Sequence, residues 1–239
     1  MRSMYIPGKA QIIANEMKAY GISILGIAEA RWNEAGQTRL TSGETIIYSG
    51  HMDENAAHSE GLVIMISKEA QITLIGWEPV SARIITAKFK ISYKRIALNI
   101  IQCYTPTNDA DEETTRKSSE KDITILLGDM YAKIGNENTG YEQVMGKHGL
   151  GTMNENGKLF ANFCANYNLV TGGTIFPHKK CHLSTWVSPD LKTKNQIDHL
   201  CTIYPRDSEE ACRMYMCMLK REQMLQQTTT LLLQKSNLS

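Results

Sequence analysis

Three acidic residues in this chain share one habit: Glu29 follows the apolar run "ISILGIA", Asp129 follows "ITILLG", and Asp198 lies within "QIDHL". A carboxylate at the rim of a buried strand is held by a rigid scaffold yet still meets solvent. That arrangement suits a hard, oxygen-preferring cation such as Mg²⁺. Water attacking a phosphodiester needs a base, a cation to neutralise charge on the phosphoryl oxygens, and a protonated donor for the leaving oxygen. Two acids, a cation and a His-Asp pair would meet that minimum. One strand-end acid alone would only cap a turn; three with the same placement point to a site.

The elements that must carry these acids can be read from hydrophobic spacing. Lys9 to Tyr20 places Ile12, Ile13, Met17 and Tyr20 at helical intervals, with Gly21 to stop the helix. "ISILGIAEA" reads as a buried strand ending at Glu29, and "ETIIYSG" and "GLVIMIS" as two more strands joined by the polar "HMDENAAHSE". "RIITAKFK" and "RIALNIIQCY" form a hairpin placed inside a sheet. The charged stretch Thr107 to Lys121 reads as a loop, and "DITILLGD" as the strand that delivers Asp129. "NENGKLFANFCANYNLV" predicts a second helix capped by Asn154 or Asn156, with Leu159, Phe160, Phe163 and Tyr167 as its apolar face. "STWV" and "QIDHLCTI" predict two final strands around a polar turn. Hairpins mixed with helices, without a regular βαβ alternation, give an α+β fold of packed sheets with outer helices.

Composition narrows the function. The 239 residues hold 26 Lys and Arg against 25 Asp and Glu, a net charge of +1. That excludes a strongly basic nucleic-acid coat, so a polyanion must be met by a local patch. The 6 cysteines show no CxxC pair, and no signal peptide or long apolar span precedes them. An intracellular protein with reduced thiols, nuclear or cytoplasmic and with no membrane partner, is expected. No Pro/Ser/Gly linker divides the chain, so one domain is expected.

The stretches "LGIAEARW", "LTSGETIIYSGH", "GWEPVSARIITAKFK", "IQCYTPTND", "GDMYAKIG", "GYEQVMGKHGLGTMNENG" and "STWVSPDLKTKNQIDHL" come in order across most of residues 1–203. Together they resemble the endonuclease/exonuclease/phosphatase family, most closely the endonuclease domains of non-LTR retrotransposons; animal craniofacial development protein 2-like proteins carry a similar domain. The resemblance implies a four-layer α/β sandwich of two packed mixed sheets with outer helices. It also implies a Mg²⁺-dependent phosphodiesterase that nicks DNA, and we read the chain as a monomer. By position in the motifs, it implies that Glu29 binds the metal and Tyr104 contacts the region of the scissile phosphate. Asp129 activates or orients the attacking water, Thr185 occupies a site position, and Asp198 orients a histidine.

The departures from the family pattern matter as much. The family's "GDFNAKIG" has an asparagine where this chain has Tyr131 and a phenylalanine where it has Met130. An asparagine amide donates and accepts in little space, whereas tyrosine offers one hydroxyl on a rigid ring. By analogy with removal of a preorganised donor, the change is expected to cost roughly 2.7–4 kcal/mol of transition-state stabilisation. The family's first-strand asparagine and its final "SDHH" histidine have no counterpart, and His199, adjacent to Asp198, points to the other face of its strand. These features predict a degenerate enzyme with nicking impaired or lost. The alternative is a non-catalytic nucleic-acid-binding or interaction protein of the same fold.

Remaining features are weaker. "HKKCH" lacks the second Cys/His cluster that a zinc site needs, and "GKHGLGTMNENG" is read as a structural turn. Trp32, Trp77 and Trp186 are expected in the core. The domain is expected over 1–203, incomplete at both ends. Residues 204–239 read as an out-of-frame tail, because a shifted reading frame there permits a strand containing Asp-His-His.

Overall fold

The computed structural model describes residues 8–51, 61–91, 96–104, 122–177, 179 and 183–203. The loop expected at 52–60, the acidic stretch 105–121, His178, Lys180, Cys181 and His182 of "HKKCH", and the tail 204–239 lie outside them. So do the residues at either end on which completeness would be judged. The chain divides at Tyr104 into two compact units, Met1–Tyr104 and Thr105–Ser239.

The first unit opens with helix α1 (Lys9–Ala19), which buries Ile13, Ala14 and Met17 while Ile12 is exposed. Gly21 in the left-handed region (φ 64°) ends it, as its sequence position requires. Strands β1 (Ile24–Ile27), β2 (Ala35–Arg39), β3 (Thr45–Ser49) and β4 (Leu62–Ile66) form an antiparallel sheet in the order β1-β4-β3-β2. All five residues of β4 are buried, as its unbroken apolar run requires. A short helix α2 (Lys68–Gln71), capped by Ser67, leads to β5 (Leu74–Ser81), which pairs antiparallel with β6 (Ile84–Lys90). In turn β6 pairs with β7 (Ala97–Tyr104), so the expected hairpin of two long strands forms and β6 is internal. Strands β3 and β4 pack against β5, β6 and β7, so two sheets face each other across the core of this unit.

In the second unit, β8 (Ile123–Asp129) pairs antiparallel with β12 (Asp198–Ile203), which also pairs with the short β9 (Val170–Thr171). Helix α3 (Glu155–Asn166) is capped by Asn154, whose side chain accepts from Gly157 N. It lies on β12: Phe160 stacks on His199 at 5.1 Å between ring centroids, and the Cys164 and Cys201 sulfurs are 4.0 Å apart. Its buried arc is Gly157, Phe160, Ala161 and Cys164, with Leu159 48% exposed. The expected face is therefore right at Phe160 and wrong at Leu159: Phe160 meets His199 of β12, and the small Gly157, Ala161 and Cys164 complete the buried arc. Gly157 meets the turn after β8, where an added Cβ would lie 1.8 Å from the Lys133 carbonyl oxygen. A short 3-10 turn (Gly172–Thr174) follows β9, and β10 (Trp186–Val187) and β11 (Lys194–Asn195) form a two-stranded ribbon.

The tryptophans depart from expectation. Trp186 is 40% exposed on the ribbon, Trp77 is half-buried and donates to Gln37 Oε1, and Trp32 is half-buried against Tyr48. None is sealed in the core. Cys103, Cys164 and Cys201 are buried and outside any disulfide. No described helix is long and apolar enough to cross a membrane.

Candidate functional site

In the first unit, β1 stops at Ile27 and Glu29 follows it in the left-handed region, with φ 56°. Arg31 is also left-handed at φ 60°, and Ala30 between them donates its N–H to the Gly61 carbonyl at 2.9 Å. Non-glycine residues adopt this conformation uncommonly, and such strain concentrates where a side chain must be aimed. Glu29 is therefore not the last residue of the strand, as expected, but part of a strained turn just beyond it. Its carboxylate is half-buried and accepts a hydrogen bond at 2.8 Å from the Tyr104 hydroxyl, at the end of β7. Two residues distant in sequence and expected at one site thus meet directly.

In the second unit, Asp129 is the last residue of β8 and Asp198 the first of β12, and they are direct register partners. Opposed residues on antiparallel strands share a face, where two carboxylates repel. Such a pair favours a cation or a proton donor beside it. Thr185 is 2% exposed, and its Oγ1 accepts from the backbone N–H groups of Ile197 (3.0 Å) and Asp198 (3.2 Å). Thr185 thereby fixes where β12 begins, and with it the position of Asp198.

Behind Asp129 the chain turns sharply. The Tyr131 N–H donates to Asp129 Oδ1 at 3.1 Å, Met130 N donates to the Ile197 carbonyl at 2.9 Å, and Tyr131 has φ 48° with its side chain 40% exposed. An asparagine tolerates this backbone conformation far better than a tyrosine. Replacing Tyr131 with Asn is expected to stabilise the fold by about 0.5–1 kcal/mol. Urea unfolding checks this; a loss of stability would contradict the strain reading.

His199 faces the opposite side of β12 from Asp198, 4% exposed. Its Nε2 lies 2.7 Å from the Ala132 carbonyl, which makes Nε2 the protonated nitrogen, while the buried Nδ1 has no hydrogen-bond partner among the described residues. Burial pushes its pKa down to about 4. The histidine beside Asp198 is thus neutral and serves to hold the turn after Asp129. Its role was missed in sequence, where only its facing was legible.

Among the described residues, no three His, Cys, Asp or Glu side chains converge as a metal-ligand set. The donors at hand are hard oxygens: the Glu29 carboxylate with a phenol behind it, and the Asp129 and Asp198 carboxylates in the other unit. That chemistry fits Mg²⁺, which uses one or two carboxylates and keeps several waters, and does not suit a thiophilic metal.

No family model matches the chain. It is 31% identical over 211 residues to Craniofacial development protein 2 of Tragulus javanicus, matching 84% of this chain and 35% of that protein. The Bos taurus protein of the same name matches at 31% identity, with 34% of its length covered. The chain thus spans about a third of the length of these curated relatives. Among solved structures, the endonuclease domain of TRAS1, a telomere-specific non-LTR retrotransposon, aligns with a TM-score of 0.54 at 12% identity, covering 84% of this chain and 82% of that one. The AP endonuclease LMAP from Leishmania major aligns with a TM-score of 0.55 at 10% identity, covering 81% and 73%.

Proposed function

From a chain that is similar to Craniofacial development protein 2 and has the endonuclease/exonuclease/phosphatase fold, we propose a degenerate Mg²⁺-dependent DNA endonuclease domain, with phosphodiester nicking impaired or lost. The reading treats residues 1–203 as one functional domain, monomeric, acting on DNA in the nucleus or cytoplasm. Glu29 would hold the cation, which when bound offsets charge on the phosphoryl oxygens. Tyr104 donates to one Glu29 oxygen and, by its position in the family motif, would contact the substrate phosphate. Asp129 orients or deprotonates water, and Asp198, positioned by Thr185, lies opposite it.

The observation that carries the loss of activity is Tyr131. The position directly behind the water-orienting acid has a strained backbone suited to asparagine, and the side chain present is a bulky phenol turned outward. His199 supports the same reading, because it is committed to the core beneath the turn and cannot protonate a leaving oxygen on the Asp198 face. Tyr131→Asn alone therefore restores the backbone fit without restoring the missing proton donor, and plasmid nicking by that variant is expected to stay at the wild-type level.

Calorimetric titration with Mg²⁺ tests the metal half. Weak binding is expected, reduced at least tenfold in Glu29→Ala; an affinity unchanged by that substitution contradicts the assignment. The β10–β11 ribbon favours a second reading, non-catalytic nucleic-acid binding. It carries exposed Trp186, Leu191, Lys192 and Lys194, an aromatic and basic surface of the kind that stacks on bases and tracks phosphates. Salt-sensitive DNA binding without Mg²⁺ affinity would favour that reading.

A further inference from the structure

On the strand that delivers Tyr104 to Glu29 lies a buried amide with no role in the reading above. Gln102 stands two residues before Tyr104 on β7, so strand alternation turns both side chains to one face, where Gln102 meets Gly26 of β1 and Tyr104 meets Glu29. Gln102 is 3% exposed, and its Oε1 has no hydrogen-bond partner among the described residues. The amide occupies the space above Gly26 of β1: an added Cβ there would lie 1.9 Å from Oε1 and 2.7 Å from Cδ. The absence of a side chain at Gly26 is what admits this amide, and the same segment of chain runs on from Gly26 to Glu29. An apolar residue of similar length would fill the gap with no orphaned polar atom, whereas a buried carbonyl without a donor is a standing penalty. Something that donates a hydrogen bond is needed to complete it.

We propose, on the reading that Glu29 holds Mg²⁺, that Gln102 is a positioning residue of that site, its amide oxygen accepting a hydrogen bond from a water in the shell of the bound cation. Mg²⁺ gives up its waters reluctantly, so a site with few protein ligands depends on groups that hold those waters in place. A neutral amide does this without adding charge. Tyr104 and Gln102, side by side on one strand face, then divide the work: the phenol fixes the carboxylate and the amide fixes the water.

The test compares Mg²⁺ affinity by calorimetry in the wild-type chain, Gln102→Leu, Gln102→Met and Glu29→Ala, with thermal unfolding of each in metal-free buffer. Removal of a group that orients metal ligands typically costs about 10–100-fold in affinity. The expected result is weakening of about tenfold in both Gln102 variants, with metal-free melting temperatures no lower than wild type because an orphaned polar atom has been removed. Two variants are used so that one poorly packed side chain does not decide the outcome. If Glu29→Ala abolishes binding while both Gln102 variants bind as wild type, the role of Gln102 is overturned and the metal reading stands. If Glu29→Ala leaves binding unchanged, or the wild type binds no Mg²⁺, the metal reading fails and this inference falls with it.

Discussion

Acidification from pH 7.5 to 4.5 is expected to remove about 2–3 kcal/mol of folding stability through His199 alone. The ring is 4% exposed, its Nδ1 has no partner among the described residues, and burial holds its pKa at about 4 against an ordinary value of 6.5. Below pH 6.5 the unfolded chain takes up a proton that the folded chain refuses, so stability present above 6.5 drains away as pH falls and levels off once pH passes the folded value near 4. Other groups titrate in the same window, so the measurement is a difference. Urea unfolding is followed at several pH values in the wild type and in His199→Gln and His199→Leu, which cannot titrate. The gap between wild type and variants should narrow by about 2–3 kcal/mol on acidification. Parallel pH profiles would show that His199 is not buried in its neutral form.

Thr185→Val is the second large effect. The substitution keeps shape and branching but removes the oxygen that accepts from both Ile197 N and Asp198 N in a site 2% exposed. Each buried donor left without an acceptor costs about 1–3 kcal/mol, so a loss of roughly 2–4 kcal/mol is expected, with Thr185→Ser close to wild type. Chemical denaturation reads both variants. A valine variant within 0.5 kcal/mol of wild type would mean that the clamp at the start of β12 has little weight.

What the sequence revealed follows from the range of the forces involved. Strands β3, β4 and β8 are dense apolar runs, and burial on both faces is written into such runs locally. The polar strand β2, "AGQTR", is largely exposed and owes its form to pairing with β3, while β5 carries Pro79 and register shifts; neither has a local signal. Asp129, Asp198 and Glu29 were legible as acids at the ends of runs. That Asp129 and Asp198 are register partners, and that Tyr104 reaches Glu29, depends on pairing between segments far apart in sequence, which no local window contains. Leu159 of α3 was misjudged because hydrophobic weight counts it toward the core, whereas the arc that packs is Gly157, Phe160, Ala161 and Cys164, with Phe160 on His199 and Cys164 against Cys201 of β12. Trp186 was misjudged for a related reason: a two-stranded ribbon has no second layer to cover it. The clamp by Thr185 and the burial of His199 are tertiary facts, visible only once β12 is in place.

The central claim is an endonuclease-type fold with a Mg²⁺ ligand retained at Glu29 and nicking impaired by Tyr131 and by the commitment of His199 to the core. Its most direct test is relaxation of supercoiled plasmid by the whole chain, with Mg²⁺, with chelator in place of Mg²⁺, and with Glu29→Ala in Mg²⁺. The account predicts at most a trace of nicked product with Mg²⁺, at least about 100-fold below what an intact preorganised site would give. Rapid nicking that requires Mg²⁺ and disappears in Glu29→Ala would contradict it, showing that a tyrosine behind Asp129 is compatible with a working site.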